Sequence, residues 1–235
     1  MLNIDDREVN MNIKIIKTIL VIILIVSLIN IFIWLFENNQ TKKIVTHAKK
    51  YINIGNKNTL NQEIKTINED IIGWLTVDNT KIDYPIVQTN NNEYYLNHNL
   101  DREYSSAGWI FMDSKNKLDD QNLIIYGHHR RDGSMFGSID SLINKNDAGQ
   151  IKLIIVNNTF YYNIFSIYKT DEEYNYREKE YNNFNKKIQE FKKRSINNYN
   201  VNITNKKQII TLSTCDNDNK NRIVVHGIKI NKSIN

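Results

Sequence analysis

Gln208-Ile209-Ile210-Thr211-Leu212-Ser213-Thr214-Cys215 is followed, after Asp216 to Asn221 (DNDNKN), by Arg222-Ile223-Val224-Val225-His226-Gly227-Ile228-Lys229-Ile230. Residues 208–214 are mostly β-branched or apolar and bounded by polar residues, the pattern of a buried strand. That strand delivers Cys215 to its end. The Asn- and Asp-rich segment is a turn, and the second apolar run is a strand that opens on a guanidinium. Cys215 is the only cysteine among 235 residues, so it cannot be half of an internal disulfide. The hairpin therefore sets a nucleophile beside a permanent cation. Alternation along a strand puts Thr211, Ser213 and Cys215 on one face, which makes Ser213 a candidate groove residue. The competing reading is a hydroxyl satisfied by backbone.

Upstream, the apolar run Leu123-Ile124-Ile125-Tyr126 stops at Gly127 and is followed directly by His128 and His129. A free thiol, with a pKa of about 8.5, is only a few per cent thiolate at neutral pH and needs an imidazole close in space. Either histidine is a candidate. Successive strand residues point to opposite faces, so the two do not both serve one site. His47 and His98 lie in polar stretches and read as solvent-exposed, while His226, inside the last strand, reads as structural. A metal site at His128, His129 and Asp132 lacks a second cysteine and an i, i+4 histidine pair. Arg222 stays protonated and offers fixed N–H donors suited to a carbonyl or an oxyanion. Alternatively it pairs with Asp216 or Asp218 across the hairpin.

Between residue 71 and the end, short apolar runs alternate with turn clusters: 73–77, 82–87, 109–112, 123–126, 151–156 and 160–168, then the two strands around Cys215. Such spacing predicts a sandwich or a barrel. Between Asp171 and Tyr199 the period changes. Tyr181, Phe184, Ile188 and Phe191 fall at helical spacing among Lys, Glu and Asn, so an amphipathic helix with one buried stripe is expected there.

Residues 19–36 (ILVIILIVSLINIFIWLF) carry no charge and only Ser27 and Asn30 as polar interruptions. At about 1.5 Å per residue they cross about 27 Å of hydrocarbon, enough for a membrane span. A cleavable signal peptide is the rival, but cleavage needs small residues and the first alanine is Ala48. Arg7, Lys14 and Lys17 precede the span and Lys42, Lys43, Lys49 and Lys50 follow it, so the positive-inside count does not orient it. Residues 37–68 are polar with apolar residues at Ile44, Ala48, Ile52, Ile64 and Ile67, which predicts helix broken near Gly55; a disordered stalk is the alternative. The net charge of +5 and pI near 9.0 reflect Lys spread along the whole chain without a compact basic motif, so nucleic acid is not an expected partner.

The sequence Thr211-Leu212-Ser213-Thr214-Cys215, with Arg222 opening the next strand, resembles the TLxTC signature of sortases, the cysteine transpeptidases of Gram-positive cell walls. Tyr126 to Phe136 (YGHHRRDGSMF) is similar to the YGHxxxDGSMF segment of class B sortases. So are Gly73-Trp74-Leu75, Asp83 to Gln88 (DYPIVQ), Glu93 to Leu96 (EYYL) and Ile110 to Asp113 (IFMD). The resemblance covers roughly residues 69–230. It implies a mainly β fold: a closed sortase-type barrel with an N-terminal helical segment and an inserted helix before the strand carrying Cys215. It selects His128, directly after Gly, as the catalytic histidine beside Cys215 and Arg222. Leu96, Thr170, Tyr174 and Ser213 are its substrate-binding candidates, and it implies neither metal nor cofactor.

The implied reaction cleaves an NPxTN-like sorting signal after Thr through a thioester on Cys215 and passes the acyl group to an amine of peptidoglycan or its lipid-linked precursor. The partners expected are therefore a secreted protein bearing the signal, that amine, and the membrane. The organisation expected is a cytoplasmic tail (1–18), a single-pass anchor (19–36), a helical juxtamembrane segment (37–68) and an extracellular catalytic domain (69–235). A cysteine protease acting on the same signal and a non-catalytic binding module are the rivals.

Overall fold

The computed structural model describes residues 6–53, 59–155, 158–204, 206–215 and 221–230, with side chains at all of these except 6–10, 53, 59 and 215. The chain divides into two compact units, residues 1–43 and 44–235. Helix α1 runs from Asp6 to Lys49. In the first unit its apolar side chains from Ile19 to Phe36 are exposed. The two polar interruptions are satisfied within the helix, because Ser27 Oγ donates to the Ile23 carbonyl and Asn30 Nδ2 to the Val26 carbonyl, each at 2.8 Å. Hydrocarbon demands such internal pairing. By length and composition α1 is a candidate membrane anchor.

In the second unit the last turns of α1 contribute Ile44 and Ala48 to the main core. The helix, expected to break near Gly55 and resume through residue 68, stops at Lys49. It is followed by a short antiparallel pair, β1 (Ile52–Asn53) and β2 (Thr59–Leu60), and by a 3-10 turn at Gln62–Thr66. The reason is composition: residues 53–61 hold four asparagines, a residue type that disfavours helix because its side chain can compete for backbone groups. Asn61 does so visibly, accepting from the Glu63 N–H at 3.0 Å to start the turn. Gly55 lies outside the described residues.

Eight strands then close a barrel: β3 (Ile71–Val77), β4 (Asp83–Val87), β5 (Phe111–Met112), β6 (Asn122–Tyr126), β7 (Gln150–Ile155), β8 (Asn158–Thr170), β9 (Ile209–Cys215) and β10 (Arg222–Ile230). Their order is β10-β8-β7-β3-β4-β5-β6-β9. Closure decides between sandwich and barrel. Two pairs are parallel, β4 with β5 and β6 with β9. Parallel neighbours end at the same rim, so the residues that follow β6 emerge beside the end of β9.

Alternation in β10 shows why both barrel faces are apolar there. Ile223 and Val225 enter the main core, whereas Val224 and Ile228 belong to a second cluster built on helix α2 (Phe184–Arg194). That helix buries Phe184, Ile188 and Phe191, an i, i+4, i+7 stripe. Its ends are chemically marked. Asn183 accepts from the Lys186 N–H at 3.0 Å, and Lys192, Lys193 and Arg194 occupy the last turn, where the helix dipole is negative.

Beneath α2 runs a buried polar chain that fixes tautomers. Asn122 Nδ2 donates to the carbonyls of Tyr176 (3.1 Å) and Glu178 (3.0 Å), so its Oδ1 accepts the Thr211 hydroxyl at 2.6 Å. Thr211 has then spent its proton. The His226 Nδ1–H must donate to Thr211 Oγ1 (2.9 Å), and Nε2 accepts from the Tyr168 hydroxyl (2.8 Å). His226 is fully buried and stacks on Phe191 with ring centroids 4.0 Å apart. It is structural, as its place in the strand predicts.

Truncating Phe191 to Ala removes the ring that both the helix and His226 pack on, and should lower the unfolding free energy by about 3–5 kcal/mol. Urea unfolding checks this. Burial, reinforced by the charge of Lys187, holds the His226 imidazole down at a pKa of about 3. The unfolded histidine titrates near 6.5, so below that pH the unfolded chain binds a proton the folded one refuses, and stability falls by up to about 1.4 kcal/mol per pH unit. His226→Gln lacks this loss. The stability gap between wild type and the variant should narrow as the pH is lowered from 6.5 to 4, and a constant gap would contradict the assignment.

Candidate active site

The parallel register of β6 and β9 matches Tyr126 with Ser213. That offset (213 − 126 = 87) equals the separation of Cys215 from His128 (215 − 128 = 87). The antiparallel register of β9 and β10 matches Cys215 with Arg222, and β8 matches Thr170 with the same arginine. Three ladders thus converge on one rim. The side chain of Cys215, and Asp216 and Asp218 altogether, lie outside the described residues.

A cleft of about 250 Å³ opens at this rim, lined among others by Leu96, Tyr126, His128, Tyr176, Ser213 and Arg222. His128 leaves β6 through Gly127 and its Nε2 lies 2.6 Å from the Leu96 carbonyl. A carbonyl only accepts, so Nε2 carries a proton and donates it to this bond, which does not involve Nδ1. Leu96 ends a 3-10 turn (Tyr94–Leu96) begun by Asn91, whose Oδ1 accepts from the N–H groups of Glu93 and Tyr94 at 2.9 Å. Next to it Asn92 clamps the loop to the end of β5, donating to Asp113 Oδ2 (2.9 Å) and accepting from the Ser114 N–H (2.7 Å).

His129 goes elsewhere. Its Nε2 pairs with Asp140 Oδ2 at 2.9 Å, with a side chain only 5% exposed, and its backbone bridges Met135. The loop between is tied by Asp132, which accepts the Ser134 N–H (2.9 Å) and hydroxyl and pairs with Arg130 (3.2 Å). Burial alone would raise the Asp132 carboxyl, but the Ser134 bonds and Arg130 hold it below its ordinary pKa. This fastening anchors the segment that presents His128.

Arg222 Nη2 donates to Glu172 Oε2 at 3.0 Å. Ser213 is buried, with its Oγ 2.9 Å from the Tyr176 hydroxyl. Leu96 keeps 44% of its surface exposed on the cleft. Two sequence candidates sit differently. Thr170 is buried at the end of β8, opposite Arg222 in the β8–β10 ladder, and Tyr174 packs against the second cluster, its hydroxyl on Glu190 and the Arg194 guanidinium 3.7 Å above its ring. Neither lines the cleft among the described residues. Tyr176, two positions on, does line it, as do Glu172 and Arg177. Burial raises the Tyr176 phenol, so it stays a neutral hydroxyl.

Gly108 was invisible in the sequence pattern. Its φ is +56°, and a Cβ there would lie 2.6 Å from the Tyr95 carbonyl, 2.7 Å from that of Leu96 and 2.8 Å from His128 Cδ2. The close approach of the Leu96 turn and the histidine depends on it.

A family model described as the sortase domain matches residues 75–230. Sortase B of Listeria monocytogenes is 35% identical over 223 residues, which cover 84% of this chain and 88% of that protein. Among solved structures, Bacillus anthracis sortase B in complex with AAEK1 superposes with a TM-score of 0.74 at 29% identity, covering 84% of this chain and 100% of that one. A Staphylococcus aureus sortase B–substrate complex does so with a TM-score of 0.71 at 30% identity, covering 83% and 95%.

Gly108→Ala should cost at least about 1–2 kcal/mol from the left-handed backbone alone. It should also shift the His128 ring resonances, read by NMR, as the Leu96 carbonyl is pushed away. An unshifted His128 would show that the glycine serves only the turn.

Proposed function

This chain belongs to the sortase family of cysteine transpeptidases that sort proteins to the cell wall, and from that premise we propose a membrane-anchored class B enzyme acting on an NPxTN-like signal. What supports this reading is the convergence of three ladders: parallel β6–β9 and antiparallel β9–β10 and β8–β10 bring positions 128, 215 and 222 to one rim. Cys215 is the nucleophile, His128 the general acid and base, and Arg222 the oxyanion donor. Leu96 and Ser213 are the proposed peptide contacts, joined by Tyr176 in place of the more distant Tyr174.

The steps balance as an acyl transfer. The Cys215 thiolate attacks the threonine carbonyl carbon, and the oxyanion is held by the Arg222 guanidinium. As the C–N bond breaks, protonated His128 gives its Nδ1 proton to the leaving amine, and a thioester remains. An amine of peptidoglycan or its lipid-linked precursor then attacks the thioester. Neutral His128 takes the proton of that amine, and the thiolate departs. The Leu96 carbonyl holds the ring by Nε2–H, which leaves Nδ1 for both transfers.

Residues 19–36 are the proposed single-pass anchor, with 1–18 cytoplasmic and residues 37–68 joining it to an extracellular catalytic domain at 69–235. The anchor keeps the enzyme on the plane where the secreted substrate and the lipid-linked amine both arrive.

Incubating the full chain in mild detergent with an NPxTN peptide, with and without an amine acceptor, tests the proposal. Amine-dependent ligated product is expected, together with a peptide adduct on Cys215 by mass spectrometry; free acid alone would make the protein a hydrolase. Cys215→Ala should abolish turnover, and Arg222→Lys should lower kcat by about 10²-fold, the typical cost of an oxyanion donor. Turnover that survives Cys215→Ala would overturn the mechanism.

A further inference from the structure

We propose that Glu172 is a positioning residue for Arg222, an assignment that rests on the oxyanion role given to that arginine above. Arg222 faces Thr170 in the β8–β10 ladder, and Glu172 follows Thr170 by two residues. The chain leaving β8 therefore passes over the guanidinium, and Glu172 Oε2 takes the Nη2–H at 3.0 Å.

The carboxylate is itself held. Arg177 Nη1 lies 3.5 Å from Glu172 Oε1, and Arg177 Nη2 donates to the Glu172 carbonyl at 3.0 Å. The Arg177 guanidinium stands 5.5 Å over the Tyr176 ring, and the Tyr176 hydroxyl meets Ser213 Oγ at 2.9 Å. Ser213 pairs with Val224 on β10, two residues beyond Arg222. The contacts close a ring: β10, Glu172, Arg177, Tyr176, β9 and back to β10. All of its side chains line the cleft.

The magnitudes say what such a ring is for. Glu172 is 56% exposed and Arg222 20%, and an ion pair so placed contributes little to stability. Orientation is different. An arginine side chain has many rotamers to lose, and an oxyanion donor works only if it is already aimed when charge develops. A tethered carboxylate supplies that aim from outside the reacting atoms.

The test is performed on the full chain in detergent with wild type, Glu172→Gln and, as a control, Glu173→Gln. Labelling with p-hydroxyphenylglyoxal, mapped by mass spectrometry, should modify Arg222 about fivefold faster in Glu172→Gln, because the ion pair no longer restrains it. Arg102, bonded to Glu69 and Asp70, is the internal reference and should not change. Peptide turnover should lose about tenfold in kcat with KM within about twofold and the melting temperature unmoved, since only the transition-state contact is affected. In an Arg222→Lys background the same substitution should change kcat by less than about twofold, the non-additivity expected of residues acting through one another. Equal Arg222 labelling in wild type and Glu172→Gln, an unchanged or raised kcat, or equal losses in both backgrounds would overturn the assignment. A wild type that fails to turn over peptide would count against the proposed reaction, and the labelling comparison would then decide Glu172 by itself.

Discussion

The parallel pairing of β6 with β9 is the constraint on which the site depends. These strands are far apart in the chain, and only a parallel ladder ends both at the same rim. An antiparallel pairing of the same segments would carry the histidine loop to the opposite end of the barrel from Cys215. The pairing is secured at its far end by Asn122, the first residue of β6, whose buried amide links Thr211 on β9 to the backbone at Tyr176 and Glu178. Strand pairing and cleft wall are thus joined at one side chain.

The same amide explains why a polar chain persists inside an apolar cluster. A buried amide, hydroxyl and imidazole are costly when unpaired and specific when every group has its partner. Here Asn122, Thr211, His226 and Tyr168 satisfy one another in a single direction of donation. A one-residue slip of β9 would carry Thr211 off this face and strand both of its partners, Asn122 Oδ1 and His226 Nδ1. The apolar residues on either side would tolerate such a slip far better, so discrimination between registers falls to the polar groups.

Most of the barrel was legible in the sequence because its strands are short, apolar or β-branched and separated by Asn, Asp and Gly turns. The cysteine and arginine were legible for the same reason, each at a strand end. Alternation says only that His128 and His129 diverge, and the choice of His128 came from the motif resemblance; in the fold Asp140, eleven residues downstream of His129, holds the second ring. The helix expected to resume through residue 68 failed where local asparagine chemistry outweighed a sparse apolar pattern. Tyr174 and Tyr176 have no periodic signature, because the path after β8 is irregular and its facing is settled by contacts with α2. Glu172 and Gly108 act through approaches across the fold, a positive φ and a neighbouring strand, that no local pattern records.

Closure of the barrel sheet has a consequence for recognition. Each of its strands has a neighbour on both sides, and the ladder is short only at β5, where β4 is matched at Val87 alone, so an extended peptide finds little open ladder to join as an added strand. Backbone-directed docking, which accepts almost any sequence of suitable length, is restricted on that surface among the described residues. Discrimination between peptides then rests on side-chain and loop chemistry at the rim, so changes in preference should arise from substitutions in connecting segments while the staves of the barrel stay as they are.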